Sequence, residues 1–244
     1  MVKQTTIFGI KFSYGSETEI INKFLKEKGY LVGPAAPALV DAEKDNHFKH
    51  CLVNSNVAIL DSGLVVILNN LFKKNKINRF SGLKYLRKAF EVLEPSEFEK
   101  SLWILPNESD VEATRLLLKS KKNADLKYYV APQYPKHGPI EDPNLLKLVS
   151  DLSPKHIFIG LGGGTQERLG YLINKNFKNQ ICIHCIGAAI SFLNGTQVFI
   201  PNIIDRLYLG WFWRCLSNPK LYTPRYLKSV KLLSLFFSQK NDTY

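Results

Sequence analysis

Three groups of residues have types and spacings that could do chemistry. The first is His156-Ile-Phe-Ile-Gly160-Leu-Gly162-Gly163-Gly164-Thr165-Gln166-Glu167, an apolar run that passes through glycines into a segment with helical spacing. Glycines let a backbone approach a phosphate closely, and the free N–H groups and dipole of a following helix stabilise its charge. A tight structural turn is the competing reading. No Gly-Lys-Ser/Thr follows, so this is not a Walker loop, and Thr165 stands where a dinucleotide fingerprint needs a third glycine or alanine. The second is Asp61, which ends the apolar run Asn56–Leu60 and precedes Ser62-Gly63. A carboxylate at the end of a buried strand suits a general base, or it caps the helix that begins near Leu64. The third is a set of arginines: Arg79 before Ser81-Gly82, and Arg214 and Arg225 near the end of the chain. They could offset the charge of a departing diphosphate, or be solvated surface charges.

Metal chemistry has less support. Cys182-Ile-His-Cys185 has the spacing of half a zinc site, but Cys51 and Cys215 form no second close pair, and alternation across Ile181–Ile186 fits a buried strand. His47 and His50, three apart near Asp45, fit a solvated helix face better than a ligand pair. There is no Asp-x-Asp to grip a diphosphate through a metal, so arginines and loop amides are expected to do that work. No metal and no resident cofactor are expected.

Positioning such residues takes a sheet. Strand-like runs at Thr5–Phe12, Tyr30–Val32, Asn56–Leu60, Ser101–Leu105, Lys127–Val130, His156–Leu161 and Ile181–Ile186 alternate with helix-like segments at Glu17–Lys28, Ala38–Leu52, Leu64–Lys73, Gly82–Leu93, Val111–Ser120, Pro143–Leu152 and Gln166–Asn174. Ser81 and Asp110 can cap helices, and Pro143 follows Asp142 as at a first helical position. Ala131–Glu141, rich in proline, reads as an irregular connection. The alternation predicts an α/β fold: a Rossmann-like, mostly parallel sheet with helices on both faces. The glycine loop and Asp61 then share the carboxyl edge of the strands, where open parallel sheets bind ligands. After Pro201 the pattern changes to two helices, Ile203–Leu216 and Tyr222–Phe237, divided at Asn218-Pro219. The second places Leu227, Val230, Leu233 and Phe237 on one face, which suits an interfacial helix or a helix packed on the core. The expected division is residues 1–200 as a catalytic domain and 201–244 as a basic, aromatic appendage.

Bulk composition narrows the partners. The chain of 244 residues carries 33 Lys+Arg against 21 Asp+Glu, a net charge of +12, which favours an anionic partner. Nucleic acid rests on that charge alone and is not expected. Four cysteines without a secretory leader point to free thiols in a reducing compartment. No run approaches the roughly 18 apolar residues of a spanning helix.

Together with the downstream residues, Gly160–Glu167 resembles a segment of the WecG/TagA/CpsF family of bacterial glycosyltransferases. The family reads approximately Val-Gly-Leu-Gly-x-Pro-x-Gln-Glu, and this chain keeps Gly160-Leu-Gly162, Gln166 and Glu167 in register. Gly187 and Phe192-Leu-Asn-Gly195 resemble its Gly-x-x-x-Asp-Phe-x-x-Gly stretch. Pro201, Trp211, Arg214, Pro219 and Arg225-Tyr226 then keep the order of its ending. Asp61 resembles the family's presumed catalytic Asp, and Arg79-Phe-Ser-Gly82 its Arg-x-x-Gly. Gly33-Pro34-Ala35 stands where Thr-Pro-Asn is common, Gly210 where the family has Glu, and Leu221 where an arginine is usual. The resemblance implies an inverting glycosyltransferase that moves a hexose such as N-acetylmannosamine, or its uronic acid, from a UDP-sugar to a polyprenyl-diphosphate-linked saccharide in surface polysaccharide synthesis. Asp61 would be the base and Gln166 would position the donor. Arg79, Gly160, Gly162, Gly163, Glu167, Arg214 and Arg225 would bind substrate, and the appendage would hold the enzyme at the anionic cytoplasmic face of the membrane. A membrane-bound scaffold without activity and a nucleotide-cofactor oxidoreductase are the alternatives, and a homo-oligomer is left open.

Overall fold

The structure is a computed structural model that describes residues 2–195 and 210–241. Among the described residues eight strands form one sheet in the order β1-β2-β4-β3-β8-β7-β5-β6. An edge hairpin of β1 (Lys3–Ile7) and β2 (Ile10–Tyr14) is antiparallel. β3 (Gly29–Val32), β4 (Val57–Ile59), β5 (Ser101–Leu105), β6 (Lys127–Val130), β7 (His156–Ile159) and β8 (Cys182–Cys185) are parallel to β2 and to one another.

Period-two alternation divides the strand residues between two cores. Tyr30, Val32, Ala58, Leu60, Leu102, Ile104, Ile157, Ile159 and Ile183 face one core. Leu31, Val57, Ile59, Trp103, Leu105 and Phe158 face the other. Helices α2 (Ala36–Ala42), α3 (Asn46–Val53), α4 (Gly63–Phe72), α8 (Pro143–Leu152) and α9 (Thr165–Phe177) cover the first side. The second is covered by α1 (Glu17–Glu27), α5 (Gly82–Val92), α6 (Pro95–Glu99), α7 (Glu108–Lys122) and α10 (Ala189–Leu193). The Rossmann-like α/β reading, with helices on both faces, therefore holds. At the centre Val32 pairs with both Ala58 and Cys185, and Ile159 pairs with Cys185. The carboxyl ends of β4, β3, β8 and β7 thus lie level, and Asp61, Gly33, Gly187 and Gly160 leave the sheet side by side.

Local chemistry corrects several expected boundaries. Thr5–Phe12 is not one strand. Phe8 (φ 55) and Gly9 (φ 77) make a two-residue turn with both φ positive, and Ile7 pairs with Ile10 across it. The run Ala38–Leu52 breaks into α2 and α3 because the Asp45 carboxylate accepts the Phe48 N–H at 2.9 Å and starts a new helix. Asn107, not Asp110, caps α7, accepting the Asp110 N–H at 2.9 Å. Ser81 and Asp142 do cap α5 and α8, and Pro143 opens α8. The short α6 and α10 had no periodic signal.

Of the first appendage helix, residues 203–209 lie outside the described residues, and the rest is helix Gly210–Ser217. Tyr222–Phe237 is not one helix. Helix Pro219–Leu227 is followed by a 3₁₀ turn at Lys228–Val230 and by helix Lys231–Asn241. Leu232 and Phe236 are buried in the first core, while Leu227, Val230, Leu233 and Phe237 are exposed. One face of the segment packs on the core and the other meets solvent.

Candidate active site

A cleft of ≈ 610 Å³ opens where the carboxyl ends of β3, β4, β7 and β8 meet, which is where strand order places a ligand site in such sheets. Its floor includes Asp61, Arg79, Gly82, Gly163, Gln166, Glu167 and Gly187, and its far wall is the appendage, with Trp211, Tyr226, Ser229 and Val230.

Asp61 leaves β4 at this edge. It does not cap α4, because Ser62 does so, accepting the Val65 N–H at 3.3 Å. Its Oδ1 instead accepts the Gly82 N–H at the start of α5, at 3.1 Å. Arg79 braces the same residue: Nε donates to the Asp61 carbonyl at 2.8 Å, and Nη2 lies 3.8 Å from Oδ1. One carboxylate oxygen is thereby fixed against a helix N-terminus. Oδ2 has no partner among the described residues. That is the arrangement a base needs: an oriented carboxylate lining a space large enough for a substrate.

The glycine loop is built differently from a simple phosphate cradle. Glu167 is fully buried, and its Oε2 accepts the Gly164 N–H at 2.6 Å. The Thr165 and Gln166 N–H groups both go to the Gly162 carbonyl at 3.2 Å. Three amides that a phosphate would seek are therefore already used, and an internal carboxylate sits at the start of α9. The Gly162 and Gly163 N–H groups have no acceptor among the described residues, and Gly163 lines the cleft. Gly160 has a packing role, since a Cβ there would lie 3.0 Å from Leu105 and 3.1 Å from Ile190. Burial pushes the Glu167 carboxyl above its usual range, against the lowering effect of its Gln166 and Gly164 donors and the Arg168 charge. Gln166 fixes the opposite turn. Its Oε1 accepts the Gly187 N–H at 2.5 Å and its Nε2 donates to Glu167 at 3.2 Å. Gly187 has φ 55, and a Cβ there would press on the Gln166 amide, so a side chain would disturb both.

Two supporting residues carried no sequence signal as functional. Arg168 is buried and donates to three backbone carbonyls: Gly164 through Nε at 2.8 Å, Gly138 through Nη1 at 2.7 Å and Pro135 through Nη2 at 2.8 Å. It ties the glycine loop to the proline-rich loop 131–141. Ser229, in the 3₁₀ turn of the appendage, is buried at the cleft wall with no hydrogen-bond partner for Oγ among the described residues. A hydroxyl left unpaired at a cleft wall is available to a ligand.

Beneath the cleft, α5 is tied to the sheet by a buried polar chain. Tyr85 Oη lies 2.6 Å from His184 Nδ1, His184 Nε2 lies 3.0 Å from His156 Nδ1, and His156 Nε2 lies 3.6 Å from Glu97 Oε1. Only one order of protons gives the Glu97 carboxylate a donor: Tyr85 to His184, His184 to His156, His156 to Glu97. Burial holds both imidazoles below their usual pKa. For His184 the neighbouring His156 adds to the effect, and for His156 the Glu97 carboxylate opposes it. Because Tyr85 lies on the first turn of α5, this chain fixes the helix whose first N–H holds Asp61.

The structure thus gathers Asp61, Arg79, Gly163, Gln166 and Glu167 into one cleft; Gly160 and Gly162 do not line it. Arg214 and Arg225 fall on the two helices of the far wall, and their side chains lie outside the described residues. Cys182 and Cys185 are not a metal half-site. They sit on opposite faces of β8, Cys182 in one core and Cys185 in the other. Among the described residues no group of three or more His, Cys, Asp or Glu side chains could hold a metal ion.

Residues 5–244 match the model of the glycosyl transferase WecG/TagA/CpsF family. The chain is 22% identical over 237 residues to the N-acetylglucosaminyldiphosphoundecaprenol N-acetyl-beta-D-mannosaminyltransferase of Bacillus subtilis (strain 168), covering 92% of this chain and 90% of that protein. Among the described residues no helix is long and apolar enough to cross a membrane.

Proposed function

Because the chain belongs to the WecG/TagA/CpsF family and is a glycosyltransferase, we propose that it moves N-acetylmannosamine, or a closely related hexose, from a UDP-sugar to a polyprenyl-diphosphate-linked saccharide. The observation that carries this reading is the convergence of Asp61 and the glycine-loop residues Gly163, Gln166 and Glu167 on one cleft walled by the appendage. In the proposed reaction Asp61 Oδ2 accepts the proton of the acceptor hydroxyl as that oxygen attacks the anomeric carbon. The bond to the nucleotide diphosphate breaks on the opposite face, so the configuration inverts. Arg79 keeps Asp61 oriented. Gln166 and the Gly163 amide hold the donor, and Arg214 and Arg225 offset the charge of the departing diphosphate. Ser229 offers a further hydroxyl from the wall.

The acceptor named for the Bacillus subtilis relative is a diphosphoundecaprenol-linked N-acetylglucosamine. The same class of lipid-linked acceptor fits a chain with an exposed apolar appendage, so the enzyme works as a peripheral protein at the cytoplasmic face of an anionic membrane, in surface polysaccharide synthesis. Incubation with a panel of UDP-sugars and a polyprenyl-diphosphate-linked N-acetylglucosamine acceptor tests the reaction directly. Transfer of N-acetylmannosamine is expected, and no transfer with any donor would overturn it.

A further inference from the structure

Helix α4 faces the cleft and the solvent at once. Leu64 and Ile67 line the cleft, yet Ile67, Leu71 and Phe72 are exposed, Leu71 to 69%. The exposed residues are continuous with the outer face of the last helix, since the Phe72 and Phe237 rings meet edge to face with centroids 4.9 Å apart. On the appendage the same double placement recurs. Val230 and Leu233 line the cleft and are exposed, Val230 to 58%. The cleft mouth is therefore rimmed on both sides by solvent-facing aliphatic side chains.

Charge follows the same edge. Lys73, Lys74 and Lys76 are exposed in the loop that ends α4, and no acidic residue stands between Ser62 and Phe90. The lysine loop that ends α4 is not slack. Asn69 Nδ2 donates to the Asn75 carbonyl at 2.8 Å, and the Asn70 side chain clasps Ile77 through both its N–H at 2.8 Å and its carbonyl at 2.9 Å. Ile77 is buried beneath, and Lys76 donates to the Asn70 carbonyl. The loop is a fixed spur that presents lysines at the edge of an apolar face.

We propose that the end of α4, from Ile67 to Lys76, lies with the outer face of the last helix against an anionic lipid bilayer, so that the cleft opens into the membrane surface itself. Aliphatic and aromatic side chains enter the interface while the lysines rim it and meet lipid phosphates. Charge complementarity selects this occupant over a second copy of the chain, because two such lysine-rimmed faces would repel. The purpose of the surface rests on the lipid-linked acceptor reading: such an acceptor would reach Asp61 without leaving the bilayer plane.

The full chain is tested by co-sedimentation with vesicles of phosphatidylglycerol mixed with phosphatidylcholine. Leu71→Glu combined with Lys74→Glu, neither lining the cleft, is expected to lower partitioning by about thirty-fold or more, since each lysine near an anionic surface contributes several-fold. Transfer to a water-soluble acceptor and the melting temperature should stay unchanged. Unchanged vesicle binding by the double variant would overturn the proposal, as would equal binding of the wild type to vesicles of phosphatidylcholine alone. A concentration-dependent oligomer abolished by the variant, with vesicle binding intact, would overturn it in favour of self-association. If no donor supports transfer, the vesicle measurements still decide the surface, so the two readings fail separately.

Discussion

Replacing Asp61 by Asn separates the chemistry of this side chain from its place in the fold. The amide oxygen can still accept the Gly82 N–H now held at 3.1 Å by Oδ1, so the start of α5 keeps its partner. What disappears is a negative charge beside a helix N-terminus and 3.8 Å from Arg79 Nη2. A charge at a helix end contributes about 0.3–1 kcal/mol, and a partly exposed ion pair about 0–1 kcal/mol. The expected loss of stability is therefore about 1 kcal/mol, or about 2–4 °C in Tm for a chain of this size. Removing a general base costs about 10²–10⁴ in rate, equivalent to about 3–5 kcal/mol of barrier. The assay pairs kcat, from UDP release with a lipid-linked acceptor, with donor affinity from titration calorimetry. A collapse of kcat is expected, with donor Kd changed by less than about three-fold. Equal losses in kcat and affinity, or a kcat lowered only a few-fold, would falsify the assignment of Asp61 as base.

Arg168→Met keeps an apolar stem and deletes the donors to the carbonyls of Gly164, Gly138 and Pro135. At about 1–1.5 kcal/mol per bond, urea unfolding should show a loss of about 3–5 kcal/mol, with loop 131–141 newly open to protease; a loss below about 1 kcal/mol would mean that water replaces the guanidinium. Acid should also destabilise the protein. His184 and His156 have folded pKa values below the ordinary 6.5, so the unfolded chain binds more protons once pH drops below that value. Stability is then fully present above about pH 6.5 and declines as pH falls, by up to about 1.4 kcal/mol per pH unit for each histidine. Melting temperatures from pH 7.5 down to 5 should fall, and His184→Asn should flatten the slope; an unchanged slope would remove His184 from the account.

The parts of the fold legible in the sequence were those whose burial follows a period. β4, β5, β7 and β8 are short and buried on both sides, and each appeared as an apolar run ended by glycine, proline or a polar residue. Asp61 and the Gly160–Glu167 segment reached one cleft because strand ends in a parallel sheet share an edge. Breaks inside apolar patterns were hidden. Phe8 stays buried through a turn that only its positive φ reveals, and the apolar spacing of Ala38–Leu52 runs straight across the point where Asp45 restarts the helix. Residues whose role depends on distant loops were also hidden. Nothing near Arg168 in sequence announces the carbonyls of Pro135 and Gly138, and Ser229 gains its meaning only when a 3₁₀ turn brings it to the cleft wall.

The strand order also constrains how the polypeptide can be made. Among the described residues β8 is the last strand to leave the ribosome, yet it sits between β3 and β7 and bonds to both. Until residues 182–185 emerge, the N-terminal group β2-β4-β3 and the later group β7-β5-β6 each present an unpaired inner edge of buried apolar strand. Such edges template wrong pairing. Between the emergence of β7 and that of β8 the nascent chain is therefore two half-sheets awaiting one closing strand, and a substitution that weakens β8 should show first as aggregation during expression rather than as a lower melting point of the protein that does fold.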